Sequence, residues 1–220
     1  MIIGIIGRKG AGKDTVATMI QESLKAKNLK MERRQIAFNL KKACAALVDK
    51  SISELENNQT KNAIYQKPLV LDCDSVLSFL NHFGISSEKS ANIYEYLKDL
   101  NFSKTINSHR ELLQFMGTNI LRNLVGENVH IDSVSNSVPD SDVLYIVTDV
   151  RFENEASSLK KLSDKVLLLG LHRDGVEMDN HPSESGIEAL ISKHADFTIF
   201  NNGSLSDLNS KISSLVKRLF

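Results

Sequence analysis

Only two cysteines occur in the 220 residues, Cys44 and Cys73, and they stand far apart. No CxxC pair and no Cys/His cluster goes with them, so neither a disulfide framework nor a zinc site of ordinary spacing is expected. Two free thiols in a reducing compartment fit that pattern. An excess of one charge is missing too. Basic and acidic side chains number 27 each, so no global positive field argues for a nucleic-acid partner. A local basic site for a small anion stays open. No apolar run nears the ~20 residues of a membrane-spanning helix. The opening MIIGII is too short for a secretory core and lacks a basic flank. The expectation is a cytoplasmic chain with no membrane partner. There is no internal repeat, no low-complexity tail and no Asn-Lys-x-Asp guanine reader, the last of which argues against a GTPase switch.

Hydrophobic residues make up 41% and charged residues 25%, ordinary proportions for a globular protein. The length suits one large domain, or one domain carrying an inserted subdomain. Short apolar runs bounded by turn signals predict strands at 1–6, 32–38, 143–149, 165–171 and 195–200. Helical spacing is clearest just after the first strand, where Val16, Ile20 and Leu24 lie four apart. Helices are also predicted over 39–49, 74–83, 88–100, 109–125, 152–162, 183–193 and 204–219. Ser204 can cap the last of these, with Asp207 near its positive end. Strands alternating with helices imply a mainly parallel sheet covered on both faces. Residues 50–108, polar and rich in Asn, Ser and Lys, interrupt that alternation and read as a helical insertion.

The stretch IIGIIGRKGAGKDT carries the strongest chemical signal. Gly7-Arg8-Lys9-Gly10-Ala11-Gly12-Lys13 has phosphate-loop spacing between a strand and an amphipathic helix. Glycines let successive N–H groups turn inward as an anion nest, the helix adds its positive end, and Lys13 can reach the β- and γ-phosphates. Where such loops place Ser or Thr on Mg²⁺, this sequence has Asp14, followed by Thr15. Asp14 either helps hold the metal, through water, or favours the helix N-terminus electrostatically. Thr15 can contact a phosphate.

Further along, LYIVTDVRFENEA begins as a buried strand and ends at Asp149, placed to orient Mg²⁺ and its waters. Arg151, two residues on, can steady a transferring phosphoryl group. LHRDGVEMDNHPSE is loop-like. Arg173 there can neutralise charge on the phosphoryl oxygens from a closing lid, and His181 reads as a loop residue packed on Pro182. In HRELLQFMGTNILRNL, Leu112, Phe115 or Met116, and Leu124 point to a core. Arg110, Gln114, Thr118 and Arg122 fall one turn apart as a row suited to a monophosphate and a base edge.

These stretches resemble the phage-type deoxynucleoside monophosphate kinases, through GRKGAGKDT, AFNLKKA, RELLQFMGT, TDVRFENE, DNHPSES and DFTIFNNGSLSDL in that order. Asp after the lysine is usual in that family. The resemblance implies a three-layer α/β/α P-loop kinase fold with five-stranded sheet order 2-3-1-4-5. Residues 1–220 would form a single such domain, with 50–108 inserted on the substrate side and 172–186 lid-like. It implies transfer of the γ-phosphoryl of ATP to a deoxynucleoside monophosphate with Mg²⁺ as cofactor. Carried over, Arg8, Gly10, Ala11, Gly12, Lys13, Asp14 and Thr15 would bind ATP, with Asn202 and Gly203 of the Asn201–Gly203 loop near the adenine. Lys13, Asp149, Arg151 and Arg173 would be catalytic. Lys41, Arg110, Gln114, Thr118 and Arg122 would bind the acceptor, and Asp14, Thr15 and Asp149 would serve the metal. A homodimer through the inserted helices is compatible with the resemblance, and a phage-encoded chain would work in the host cytoplasm. The sequence differs from many members in reading GENVHIDSV, with no tryptophan, where they carry an aromatic-rich segment. A P-loop kinase for another phosphorylated metabolite, or a nucleotide-dependent regulatory protein, are the alternatives.

Overall fold

The computed structural model describes residues 1–25, 29–57, 59–135, 142–176 and 181–220. The chain begins with β1 (Ile2–Gly7), α1 (Lys13–Lys25) and β2 (Lys30–Arg34). Next come α2 (Phe38–Leu47), α3 (Ile52–Glu56), β3 (Leu69–Leu71), α4 (Cys73–Phe83), α5 (Ser87–Asp99), β4 (Lys104–Ile106), α6 (His109–Phe115) and a π-helical segment, Met116–Val125. The remainder is α7 (Val129–Ser135), β5 (Val143–Val150), α8 (Glu153–Leu162), β6 (Val166–His172), α9 (Pro182–Ser185), α10 (Ile187–His194), β7 (Phe197–Phe200) and α11 (Leu205–Leu219). Two compact units result: Met1–Ile36 with Ile131–Phe220, and Ala37–His130.

The first unit is built on a five-stranded sheet ordered β2-β5-β1-β6-β7, with every neighbouring pair parallel. Counted along the sheet strands alone this is 2-3-1-4-5, as expected. All six residues of β1 are buried, which explains its unbroken apolar reading: a central parallel strand has no polar face. Its side chains alternate between two cores. Ile3 and Ile5 pack with Val16, Ile20 and Leu24 of α1 and Leu208, Ile212 and Val216 of α11. Ile2 and Ile6 pack with Ala156 and Leu159 of α8 and Leu190 and Ile191 of α10. Helices on both faces make the three-layer α/β/α arrangement.

Two boundaries depart from the sequence expectation here. The second strand is Lys30–Arg34 rather than 32–38. It is an edge strand whose charged residues carry no apolar signal, and Ile36, buried at the turn after it, drew the expectation forward. The helix expected over 183–193 breaks at Gly186 into α9 and α10.

The second unit is mostly helical around one core, in which Leu40, Phe79, Leu80, Leu112, Met116 and Leu121 are buried together. The stretch 50–108 is not wholly helical. It contains the antiparallel pair β3–β4, with Val70 opposite Thr105. Strands of three residues are too short for their period to register in the sequence. Of the two core alternatives in the next helix, Met116 is buried and Phe115 only partly so.

The π segment has a simple cause. Buried positions recur in pairs four apart: Leu112 and Leu113, Met116 and Gly117, Ile120 and Leu121. An α-helix turns every 3.6 residues and would wind such a stripe around its axis. A wider i→i+5 turn compensates that drift. Among the described residues, no helix is long and apolar enough to cross a membrane.

Candidate active site

The site in the first unit is built where β1 stops and α1 starts. Between them Gly10 and Gly12 adopt φ of 80° and 100°, the left-handed region that other residues enter only at a cost. Gly12 is restricted twice: a Cβ there would lie 2.8 Å from Asn201 Nδ2, which itself donates to the Ala11 carbonyl at 2.8 Å. Ala11 N–H donates to the Arg8 carbonyl at 3.1 Å. The turn is thus closed on itself, and the first turn of α1 adds the N–H groups that no helix can satisfy internally.

Lys13, the first residue of α1, bends back over this turn. Its Nζ donates to the carbonyl oxygens of Gly7 and Arg8, both at 2.8 Å. Burial, reinforced by the nearby Arg151 guanidinium, pushes the ammonium pKa down to about 8 against the opposing pull of Glu184, Asp149 and Asp14. A half-buried cation with a lowered proton affinity is poised for an anion that would stabilise its charge.

Asp149 and Arg151 come from the carboxyl end of β5, beside β1 in the sheet. Asp149 Oδ1 accepts from the Ile36 main-chain N–H at 2.6 Å. Arg151 is fixed at both ends. Its main-chain N–H donates to Glu155 Oε2 at 2.9 Å. Its guanidinium donates to the Ser183 carbonyl at 3.3 Å and pairs with the Glu184 carboxylate. Glu184 is 6% exposed, and its Oε2 accepts from the Lys9 main-chain N–H at 3.0 Å. Burial alone would raise its pKa, but Arg151, the Lys9 N–H and Lys13 together hold it below the usual carboxylate value.

A second ring of contacts surrounds the turn. Arg8 pairs with Glu188 at 3.0 Å, Glu188 with His172 at 3.2 Å, and His172 with Asp174 at 3.0 Å. Asp174 N–H donates to Asn202 Oδ1 at 2.9 Å, and Asn202 Nδ2 returns a bond to Asp174 Oδ2 at 2.7 Å. Exposed Arg173 donates to the Gly10 carbonyl at 3.4 Å. So Arg8, Lys13, Asp149, Arg151, Arg173 and Asn202, expected from the sequence to act together, do gather at the turn or within its network. Gly203 directly precedes the Ser204 cap of α11. Asp14 and Thr15 are exposed on the first turn of α1. His181 caps α9, accepting from Ser183 N–H at 3.3 Å. Part of the lid-like segment expected at 172–186, residues 177–180, lies outside the described residues.

The second unit holds the other expected residues. Arg110, Gln114, Thr118 and Arg122 are all half-buried along α6 and the π segment. In a pure α-helix the fourth would swing roughly 120° from the first; the wider turns of the π segment reduce that drift. Lys41 forms an ion pair with Glu56 of α3. Among the described residues, no three His, Cys, Asp or Glu side chains converge as a metal cage. A divalent ion at Asp14, Thr15 and Asp149 would bring most of its shell with it, which suits an ion carried on a polyphosphate.

Three contributors were not picked out from the sequence: Glu184, Glu155 and Asn201 as a partner of the turn itself. Glu184 and Glu155 sit in HPSES and FENE, where a glutamate near a helix start reads as ordinary capping.

Comparison with known proteins identifies the family. The family described as deoxynucleotide monophosphate kinase matches residues 54–212, beginning beyond the glycine turn. Two of the curated relatives match nearly the whole chain, the turn included. A protein of Acanthamoeba polyphaga mimivirus is 27% identical, covering 98% of this chain and 96% of its own. The deoxynucleotide monophosphate kinase of Escherichia phage RB69 is 26% identical over 98% of this chain and 99% of its own. The deoxynucleoside-5'-monophosphate kinase of Escherichia phage T5 is 26% identical over 88% of each. Matched by that one family over well more than half its length, the chain belongs to the deoxynucleotide monophosphate kinases.

Proposed function

We propose that this protein transfers the γ-phosphoryl group of ATP to a deoxynucleoside monophosphate, giving a deoxynucleoside diphosphate and ADP. The observation that carries the reading is Lys13: an ammonium folded onto Gly7 and Arg8, with Asp149, Arg151 and Asp14 close enough to act on its charge. That is a donor site before its anion arrives. As ATP binds, Lys13 exchanges two carbonyl acceptors for phosphate oxygens, a gain because bonds to charged acceptors are stronger. Main-chain N–H groups of the turn and the first turn of α1 cradle the phosphates. Arg151 clamps the group in transit, and Arg173 covers it from outside. Asn202 and Gly203 lie near the adenine.

Phosphoryl transfer asks for alignment and charge neutralisation more than for covalent chemistry, so no dedicated base is assigned. Asp149 and Asp14, with the Thr15 hydroxyl, form a donor set that fits Mg²⁺, which needs only one or two carboxylates beside waters and phosphates. Mg²⁺ would neutralise charge on the donor's phosphate oxygens. Arg110, Gln114, Thr118 and Arg122, with Lys41 released from Glu56, bind the acceptor's phosphate and base edge.

The test is direct. Purified protein with ATP and Mg²⁺ converts at least one of the four common deoxynucleoside monophosphates, or a uridine or hydroxymethylated form, to its diphosphate. Background conversion of every one of them refutes the assignment.

A further inference from the structure

Glu184 is used by nothing in the reaction outlined above, yet its two carboxylate oxygens divide their work. One accepts from the Lys9 N–H within the phosphate-binding turn; the other pairs with Arg151 at the end of β5. We propose that Glu184 is a positioning residue that sets Arg151 at a fixed spacing from the phosphate-binding turn.

The surroundings show why a carboxylate is there. Arginine loses much side-chain freedom when it is held in one place, and a guanidinium that must meet a fleeting charge acts best when already immobilised. Arg151 is immobilised. Glu155 holds its main-chain N–H, while α9 supplies two acceptors for its guanidinium, the Ser183 carbonyl and the Glu184 carboxylate. α9 itself is fixed at its start by Pro182 and the His181 cap. Being 6% exposed, the carboxylate has little alternative to its two partners, because a buried charge without them is expensive. It also lets two cations, Lys13 and Arg151, stand near each other before any phosphate is present. A glutamine there keeps the size but sets an amide donor or a neutral oxygen against a guanidinium. An aspartate keeps the charge but is too short to span both partners.

This inference rests on the kinase reading for its kinetic consequences, whereas the strut itself can be measured without turnover. In the nucleotide-free wild-type chain, amide hydrogen exchange followed by NMR finds the Lys9 N–H protected, and Glu184→Gln speeds its exchange by about tenfold or more. Exchange at Lys9 as fast as at open loop amides in the wild type overturns the strut, and needs no variant to fold. In steady-state assays Glu184→Gln lowers kcat by up to about a hundredfold, while KM for ATP and for the monophosphate moves less than about threefold. Glu184→Asp recovers part of the rate. In an Arg151→Met background Glu184→Gln adds no further loss, because it acts through that arginine. A loss of equal size in both backgrounds refutes positioning and leaves the kinase assignment intact. Should the wild type transfer nothing, the assignment fails alone and the Lys9 exchange decides the role of Glu184.

Discussion

Replacing Lys13 with methionine stabilises the nucleotide-free protein while abolishing transfer. The lysine is held near 8 against an ordinary 10.5. At roughly 1.4 kcal/mol for each tenfold change, keeping it protonated at neutral pH costs the fold about 3 kcal/mol relative to the unfolded chain. Methionine removes that cost and retains most of the apolar stem. Against it stand two lost hydrogen bonds, from Nζ to the Gly7 and Arg8 carbonyls, each contributing about 0.5–1 kcal/mol where water can take over as donor. The net gain is about 1–2 kcal/mol, which raises the melting temperature by about 2–8 °C in a protein of this size. The pH dependence has a definite sign. The cost is complete below about 8 and fades as pH climbs toward the ordinary value, so the wild type gains stability across that window and the variant does not. Thermal melts at neutral pH and on the alkaline side of the lysine's pKa, with and without ATP, read all three effects, since ATP raises the wild-type midpoint and leaves the variant's in place. A variant that melts at or below the wild type at neutral pH, or one that responds to alkali as the wild type does, refutes the reasoning.

Other outcomes follow from single contacts. Arg110→Ala raises the KM for the monophosphate by about 10- to 100-fold and shifts that for ATP little, as steady-state kinetics with each substrate varied will read. Gly12→Ala forces a Cβ toward Asn201 at a φ of 100°; it destabilises by about 1–2 kcal/mol and weakens ATP binding in calorimetry. Asp72→Ala removes the cap of α4, where the carboxylate accepts from Ser75 N–H at 2.8 Å; denaturant melts lose about 1 kcal/mol with both KM values unchanged. The bonds from Ser75 hold the Asp72 carboxyl below its usual pKa, so this capping contribution is present above the ordinary aspartate range and disappears as pH falls through the lowered value.

The sheet was legible because a parallel strand covered on both faces reads as an unbroken apolar run. β1, β5 and β6 all have that character. β2 does not: Lys30–Arg34 is polar, and its place depends on pairing with β5, which a local pattern cannot express. Leu69–Leu71 and Lys104–Ile106 pair across an intervening helix pair and give no local sign at all. The π segment was predicted as plain helix, since a four-residue repeat fits either turn until the packing around Gly117, whose Cβ would fall 2.8 Å from Leu40, is known. The glycine turn was legible for the opposite reason, as everything that shapes it lies within a few residues. Glu184 was invisible because its partners Lys9 and Arg151 are 175 and 33 residues away in sequence. Distance along the chain, more than chemical subtlety, decided what could be foreseen.

The central position of β1 also has a consequence for synthesis. It is made well before both its neighbours, β5 and β6, which lie beyond residue 142. Until those strands have left the ribosome, β1 has no sheet to join, and the glycine turn at its end has nothing to hold its shape. Such long-range pairing slows folding, and it makes nucleotide binding one of the last properties a growing chain acquires.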